Sequence, residues 1–377
     1  MYKLDQPHPL VKNNRCFEGT LVVLDERVLT PKWLMKRIGN IFNRIIDFNN
    51  LVLADKKARL NKSKRYGIAK FDKHSHENLL KLQRMFIEGT YKTSEYDIYT
   101  IIADRGHKER EIYRLPYFPD RIAHHAIMNV IEPYLVKRFT SDTYSCIKGR
   151  GIHLAVKRLK HALKIDPKNT KYCLKLDVKK FFPSVNQKIM MDLFSRVFKD
   201  KRFLNLISEI IYSTDKGLPI GNYISQFAAN LYLTWFDRWV KQKLKIKHYF
   251  RYCDDIVLFS SNKKELHQAL QKIKEYMTSY LELEVKHDWQ IYPVDDRGVD
   301  FLGYVFKHSH MKLRKDMKKK FYRKTRYVNL NKKFRSLASY WGWCKYGNCF
   351  NLWKRFTGTN SIKELKILLL GYDKNCT

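Results

Sequence analysis

The chain reads as an α+β protein in which helices pack on an antiparallel sheet. Three observations lead there. The runs Tyr172–Asp177 and 248–259 are apolar, aromatic and β-branched, as strands are, and the second is interrupted by Asp254-Asp255, as a tight hairpin would be. Residues 225–243 and Lys263–Leu281, on either side of that hairpin, carry apolar residues at helical spacing. Beyond residue 310 the chain turns basic and aromatic, the composition of a small helical unit.

Taken in order, residues 31–60 and 74–88 show helical periodicity with many basic residues. Asp97–Ala103 and residues 110–115 read as strands joined by a turn at 104–106. Residues 121–138 form an amphipathic helix with Ile122, Ala126, Ile127, Val130 and Ile131 on one face, and 151–164 form another. A helix is expected over 186–198. Ser225 is suited to cap a long helix reaching about Lys243, with a stripe that includes Phe227, Ala228, Leu231, Trp235 and Trp239. Residues 282–293 and 299–307 return to strand character. Residues 312–335 hold twelve Lys/Arg against one acid, Asp316. The aromatics from Tyr340 to Phe356 then supply a core, leaving the basic face for a polyanion.

With 74 Lys+Arg against 37 Asp+Glu, the net charge is +37. Such self-repulsion is tolerable when a polyanion neutralises it, so nucleic acid is the leading partner and anionic membrane the competing one. The charge is spread over many elements, not one amphipathic helix, which disfavours the membrane. No apolar run reaches the ~18 residues of a span, and the N-terminus lacks the apolar core of a signal peptide. Seven cysteines form no Cys-x-x-Cys pair, and Cys344 and Cys349 have no partners at zinc-finger spacing. Reduced thiols and a cytoplasmic location are expected. His124-His125, on a helix, is expected to be structural.

An Asp-Asp pair alone is usually a solvated turn. Here apolar runs flank Asp254 and Asp255, and Asp177 ends a separate strand. Carboxylates gathered at strand ends are costly unless a cation binds there. Three hard oxygen donors suit a two-Mg²⁺ phosphoryl-transfer site.

Three segments, in chain order, carry a resemblance. Asp177-Val-Lys-Lys-Phe-Phe-Pro-Ser184, Gly217-Leu-Pro-Ile-Gly-Asn-Tyr-Ile-Ser-Gln226 and Tyr252-Cys-Asp-Asp255 resemble the palm motifs of reverse transcriptases, over roughly residues 95–360. The resemblance implies a right-hand polymerase architecture. Residues 1–95 would be a helical extension and the start of the fingers, 96–170 the fingers, 171–310 the palm with its antiparallel sheet, and 311–377 a basic helical thumb. It implies an RNA-directed DNA polymerase with two Mg²⁺ ions, Mn²⁺ being able to substitute. Asp177, Asp254, Asp255 and the backbone carbonyl of Val178 would hold them, with Asp255 often supporting instead of coordinating. Phe182 matches the aromatic gate against a 2′-OH, with Phe181 as the core ring. Arg110 matches the fingers arginine, ahead of Lys108 and Arg105. Ile220, Gly221 and Gln226 would line the nucleotide site. Lys148 and Arg150, and the cluster Lys318, Lys319, Lys320, Arg323 and Lys324, would meet template and primer.

Most reverse transcriptases have Gln-Gly-x-x-x-Ser-Pro where this chain has Ile220-Gly-Asn-Tyr-Ile-Ser-Gln226. That form resembles the enzymes of diversity-generating retroelements, which copy a template RNA with frequent errors opposite adenine. This closer resemblance implies template RNA, its cDNA, dNTPs and a pentameric basic accessory variability protein as partners. No residue run identifies the docking surface, and the N-terminal ~90 residues are the expected place because chemistry accounts for them least. An ordinary group II intron-like, retron or antiviral reverse transcriptase is the alternative. A catalytically silent RNA-binding protein is another, which the three carboxylates argue against.

Overall fold

The computed structural model describes residues 36–62, 66–103, 108–325 and 334–367. Arg105 and the turn expected at 104–106, the side chain of Lys108, residues 31–35 and residues 326–333 of the basic run lie outside the described residues.

Three antiparallel sheets organise the described residues. Strands β1 (Asp97–Ala103) and β2 (Lys108–Arg114) form a ribbon. The central sheet has the order β4-β5-β3-β6, from β3 (Tyr172–Asp177), β4 (His248–Tyr252), β5 (Asp255–Ser260) and β6 (Gln290–Pro293). A small sheet follows, with β7 (Val299–Phe301), β8 (Tyr304–Phe306) and β9 (Met311–Leu313).

Register divides the central sheet into two faces, because side chains alternate along each strand. Leu174, Leu176, Ile256, Leu258, Tyr249 and Arg251 share one face. Helices Tyr223–Tyr232, Thr234–Gln242 and Lys263–Leu281 lie on the sheet, and ring contacts such as Phe236–Tyr249 tie that face to them. The other face carries Cys173, Phe250, Val257, Phe259 and Tyr292, which join one core with the small sheet and the C-terminal helices. Asp177 and Asp255 stand at the end of this second face. On the first face Arg251 and Asp237 form a fully buried ion pair at 2.6 Å. Removing one partner alone would strand a buried charge, at a cost on the order of 3–5 kcal/mol.

Helices Ile122–Val136, Ile152–Ile165 and Lys263–Leu281 fall where periodicity predicts, and Ile122, Ala126, Ile127, Val130 and Ile131 are all buried. Asn186 caps Gln187–Val197 by accepting from the N–H groups of Lys188 and Ile189. Four expectations are corrected. The long helix after Ser225 begins at Tyr223 and breaks at Leu233, so Ser225 is a buried helical residue and not a cap. The break shifts the buried line of the second half to Phe236, Asp237 and Val240, leaving Trp235 and Trp239 half-buried. Only Gln290–Pro293 of 282–293 is a strand, because Glu282 takes a left-handed conformation that ends the preceding helix. The 299–307 strand is two strands, turned back on each other at Leu302-Gly303. Helix Lys201–Ile211 is an addition to the expected elements, with Phe203, Leu206, Ile207, Ile210 and Ile211 at helical spacing and Asp200 accepting from Phe203 N–H as its cap.

The C-terminal aromatics behave as expected. Trp353 and Phe321 are buried and stack at 5.8 Å, with Tyr340 and Trp341 packed against them, while Phe350 is exposed. Cys344 and Cys349 are buried thiols that hydrogen-bond to each other. His124 is buried in its helix. Among the described residues, no helix is long and apolar enough to cross a membrane.

Candidate active site

The β4–β5 hairpin turns through only two residues, Cys253 and Asp254, and Cys253 takes a left-handed conformation (φ 59°) to make it. Asp254 is therefore in the turn, and Asp255 opens β5 directly opposite Asp177 at the end of β3. Residues so paired have Cβ atoms about 4.5–5.5 Å apart, and like charges there repel.

Electrostatics follow from that geometry. Burial pushes the Asp255 carboxyl up to about 6, with Asp177 and Asp254 adding to the rise and Lys175 opposing it. Lys286 donates from Nζ to Asp177 Oδ2 at 3.0 Å, and its backbone N–H bonds the Asp177 carbonyl at 2.9 Å. Motif reading gave no signal for Lys286, which is placed by the single bridge of Val285 to Val178. That bridge is flanked by bonds from Lys286 N–H to Asp177 O and from Lys179 N–H to Glu284 O, so it leaves the Val178 carbonyl out of the pairing.

The residues fit a divalent cation on one specific observation. Asp177 Oδ1 and Asp255 Oδ1 are both buried without a hydrogen-bond partner. Buried carboxylate oxygens are ordinarily satisfied. Among the described residues, no three His, Cys, Asp or Glu side chains converge to enclose a metal alone. Mg²⁺ does not require that, since it is bound through one or two carboxylates plus water and substrate phosphates.

Folded-state protonation of Asp255 has a measurable sign. Its carboxyl keeps a proton up to about pH 6, whereas the unfolded chain releases it near 3.8. The folded state binds more protons in that window, so stability falls as pH rises through it. In chelator, the stability of wild type relative to Asp255→Asn should drop by about 2–3 kcal/mol between about pH 4 and pH 7. Urea melts of both proteins measure this, and a pH-independent difference would contradict the burial of the charge.

The motif loops join this carboxylate pair to the β1–β2 ribbon. After Asp177 the chain turns at Lys180 into the short helix Phe181–Ser184. Phe181 is buried and Phe182 half-buried, as the spacing requires, their rings 5.7 Å apart. Leu218 N–H bonds the Phe182 carbonyl at 2.8 Å, and a Cβ on Gly217 would lie 2.6 Å from that same oxygen. Only glycine allows this approach at φ +70°. Farther on, Tyr113 N–H of β2 bonds the Ile220 carbonyl at 2.8 Å, and a Cβ on Gly221 would lie 2.7 Å from the Tyr113 carbonyl. Ile220 is half-buried, and Gly221 and Gln226 are exposed.

Charge around this junction differs from expectation. A cavity of about 480 Å³ is lined by Tyr99, Ile112, Tyr113, Arg114, Arg121 and Gly221. Arg110 shares the Tyr99, Ile112 and Arg114 face of the ribbon but is exposed outside that cavity. Arg114, which pairs with Asp97 and lies over the Tyr99 ring, and Arg121 were missed because neither sits in a spaced motif. Arg150 donates from Nη1 to the carbonyls of Thr140 and Thr143, which commits that nitrogen to the loop's own backbone, while Lys148 is exposed. Lys319, Lys320, Arg323 and Lys324 are exposed on helix Lys315–Thr325, and Lys318 is half-buried.

Comparison with known proteins follows the same segments. The family model for reverse transcriptase (RNA-dependent DNA polymerase) matches residues 103–306, more than half of the chain. Protein YkfC of Escherichia coli K12 is 24% identical over 234 residues, covering 50% of this chain and 61% of that one. The Retron Ec73 reverse transcriptase of Escherichia coli is 35% identical over 134 residues, or 32% of this chain and 40% of the relative. The group II intron-encoded protein LtrA of Lactococcus lactis is 24% identical over 186 residues, or 47% and 30%. The chain thus spans less than two thirds of the length of these relatives. Apo telomerase from Candida tropicalis superposes with a TM-score of 0.47 at 12% identity, covering 71% of this chain and 57% of that one. With antiparallel strands presenting Asp177 and Asp255 side by side and a family match that spans all three motifs and more than half of the chain, the chain belongs to the reverse transcriptase (RNA-dependent DNA polymerase) family.

Proposed function

We propose that the chain polymerises DNA on an RNA template, and that it does so with low fidelity opposite adenine, as a retroelement enzyme that diversifies a target gene. The observation that carries the polymerase reading is the in-register pair Asp177 and Asp255, each with an orphaned buried oxygen, beside the Asp254 turn. Asp177, Asp254 and Asp255, with the Val178 carbonyl, would hold the divalent ions. Bound Mg²⁺ supplies positive charge to the transferring phosphoryl group and to the attacking and leaving oxygens. The protein's own residues position the substrate. Phe182 presents a half-exposed ring where a 2′-OH would collide, and Gly217 fixes its backbone. Arg110, Arg114 and Arg121 supply cations for a triphosphate. The exposed bases of Lys315–Thr325 and Lys148 track template and primer phosphates.

The low-fidelity reading rests on Ile220 and Gln226. An apolar side chain beside the nascent pair offers contact without a directional bond, so a displaced sugar is tolerated. Restoring an amide with Ile220→Gln adds a hydrogen bond that only a well-placed nucleotide makes. That is worth about 1 kcal/mol, or several-fold in discrimination. Sequencing cDNA from both proteins on one template should show adenine-directed errors reduced several-fold in the variant, and an unaltered spectrum would sink this reading.

A second reading is a retron-type enzyme, favoured by the 35% identity to the Retron Ec73 reverse transcriptase. Primer extension with purified protein tests the polymerase, and the wild-type error spectrum separates the two classes. A basic accessory protein remains a partner to be tested by co-purification, and residues 1–35 of the expected docking region lie outside the described residues.

A further inference from the structure

Both peptide groups of the turn residue Cys253 are held from inside the protein. Arg251 Nη1 donates to the Cys253 carbonyl at 3.0 Å, and the Cys253 N–H donates to Ser145 Oγ at 3.1 Å. Arg251 has no exposed surface and uses its whole fork. Nε and Nη2 donate to the two oxygens of Asp237 at 2.7 and 2.6 Å, Nη1 also reaches Asn230 Oδ1 at 3.2 Å, and Nη2 reaches Thr143 Oγ1 at 3.3 Å. Asn230 closes the circuit, because Ser145 Oγ donates to its Oδ1 at 3.0 Å while its Nδ2 donates to the Ser145 carbonyl at 2.8 Å. The strand carrying Arg251 is pinned as well, with Arg251 N–H on the Asp142 carbonyl and Tyr144 N–H on the Arg251 carbonyl.

A buried ion pair is weak evidence of stabilisation, since apolar residues of equal volume often serve as well. An arginine that spends one arm on the carbonyl of a strained turn does something an apolar residue could not. We infer that Arg251, with Ser145, is a positioning residue of the polymerase site. Oriented by Asp237 and Asn230, the two clamp the left-handed Cys253 peptide and so set the direction in which Asp254 leaves the turn. A planar fork is needed for this, because lysine cannot hold Asp237 and the carbonyl at once. The inference rests on the polymerase reading of Asp254.

The two ends of the clamp allow a test that separates positioning from folding. Ser145→Ala removes the donor-acceptor at one end and leaves the Arg251–Asp237 pair intact. Tyr232→Phe removes hydrogen bonds of similar kind that do not reach the turn, from the Tyr232 hydroxyl to the Leu281 carbonyl at 2.7 Å and from Asn186 N–H to that hydroxyl at 3.3 Å. Both variants should melt a few degrees low. Single-turnover incorporation on a preformed RNA–primer complex should slow by about 10- to 100-fold in Ser145→Ala, with the KM for dNTP and the affinity for RNA unchanged, the range expected when a reacting geometry is loosened. Mn²⁺ binding to the resting protein, read by electron paramagnetic resonance, should weaken in parallel. Tyr232→Phe should keep the wild-type rate and Mn²⁺ affinity. Arg251→Lys should reproduce Ser145→Ala in rate while retaining the charge, and Ser145→Thr, which restores the hydroxyl, should recover it. Equal rates for Ser145→Ala and Tyr232→Phe would overturn the inference. Absence of incorporation by the wild type would instead overturn the polymerase reading beneath it.

Discussion

Asp254→Asn should abolish nucleotide incorporation while leaving RNA affinity nearly unchanged. Asp254 sits in a two-residue turn beside the Asp177 and Asp255 pair. An amide keeps the shape but removes one negative charge beside the buried Asp177 and Asp255 carboxylates. Losing charge stabilisation of several kcal/mol corresponds to roughly a thousandfold or more in rate. On the proposed reading, RNA affinity would come from elsewhere, from dispersed Lys and Arg contacts to phosphates. Primer extension and filter binding on the same preparation decide it. Near wild-type extension would remove Asp254 from the site, and a parallel loss of RNA binding would point to misfolding.

Phe182→Val should admit ribonucleotides. The backbone of Phe182 is held by the Leu218 N–H and by close packing against Gly217, so the ring cannot retreat by moving the chain. Its neighbour Phe181 is the buried ring, and the half-buried Phe182 ring is the one available to a substrate. Steric discrimination of this kind is worth about 1–3 kcal/mol, so the ratio of dNTP to NTP efficiency should fall roughly 10- to 100-fold. An unchanged ratio would place the gate elsewhere.

Much of this site was legible in the sequence because its parts are local. Asp177 ends and Asp255 opens a strand whose composition is unmistakable, Asp254 lies in the turn between two such strands, and the β4–β5 hairpin and helix Lys263–Leu281 lie within a residue or two of expectation. One buried and one half-buried ring at Phe181 and Phe182 is the expected outcome, but a short helix and not strand alternation produces it. What was missed is held by tertiary contacts. Lys286 reaches Asp177 only because a one-residue bridge lays Val285 on Val178. Arg114 and Arg121 border the cavity beside Gly221 through the packing of the β1–β2 ribbon on a turn more than a hundred residues away. The break at Leu233 has no proline or glycine to announce it. Arg150 looked like a phosphate ligand, and its bonds to Thr140 and Thr143 could be seen only once the loop was folded.

The two-faced central sheet also limits how this chain can vary in length over evolutionary time. Shifting a strand by one residue exchanges its faces. With the far end of β5 held, a deletion inside it would carry Asp255 onto the helix-facing position of Ile256 and pull Asp254 out of the turn to stand opposite Asp177, burying a charge and undoing the two-residue hairpin in one step. Gaps are therefore tolerable outside the strands, as at 287–289 past the Val285 bridge and Lys286, and not within them. Among descendants of this sequence, spacing from Arg251 to Ser260 should be the least variable length in the molecule, whatever happens to side-chain identity around it.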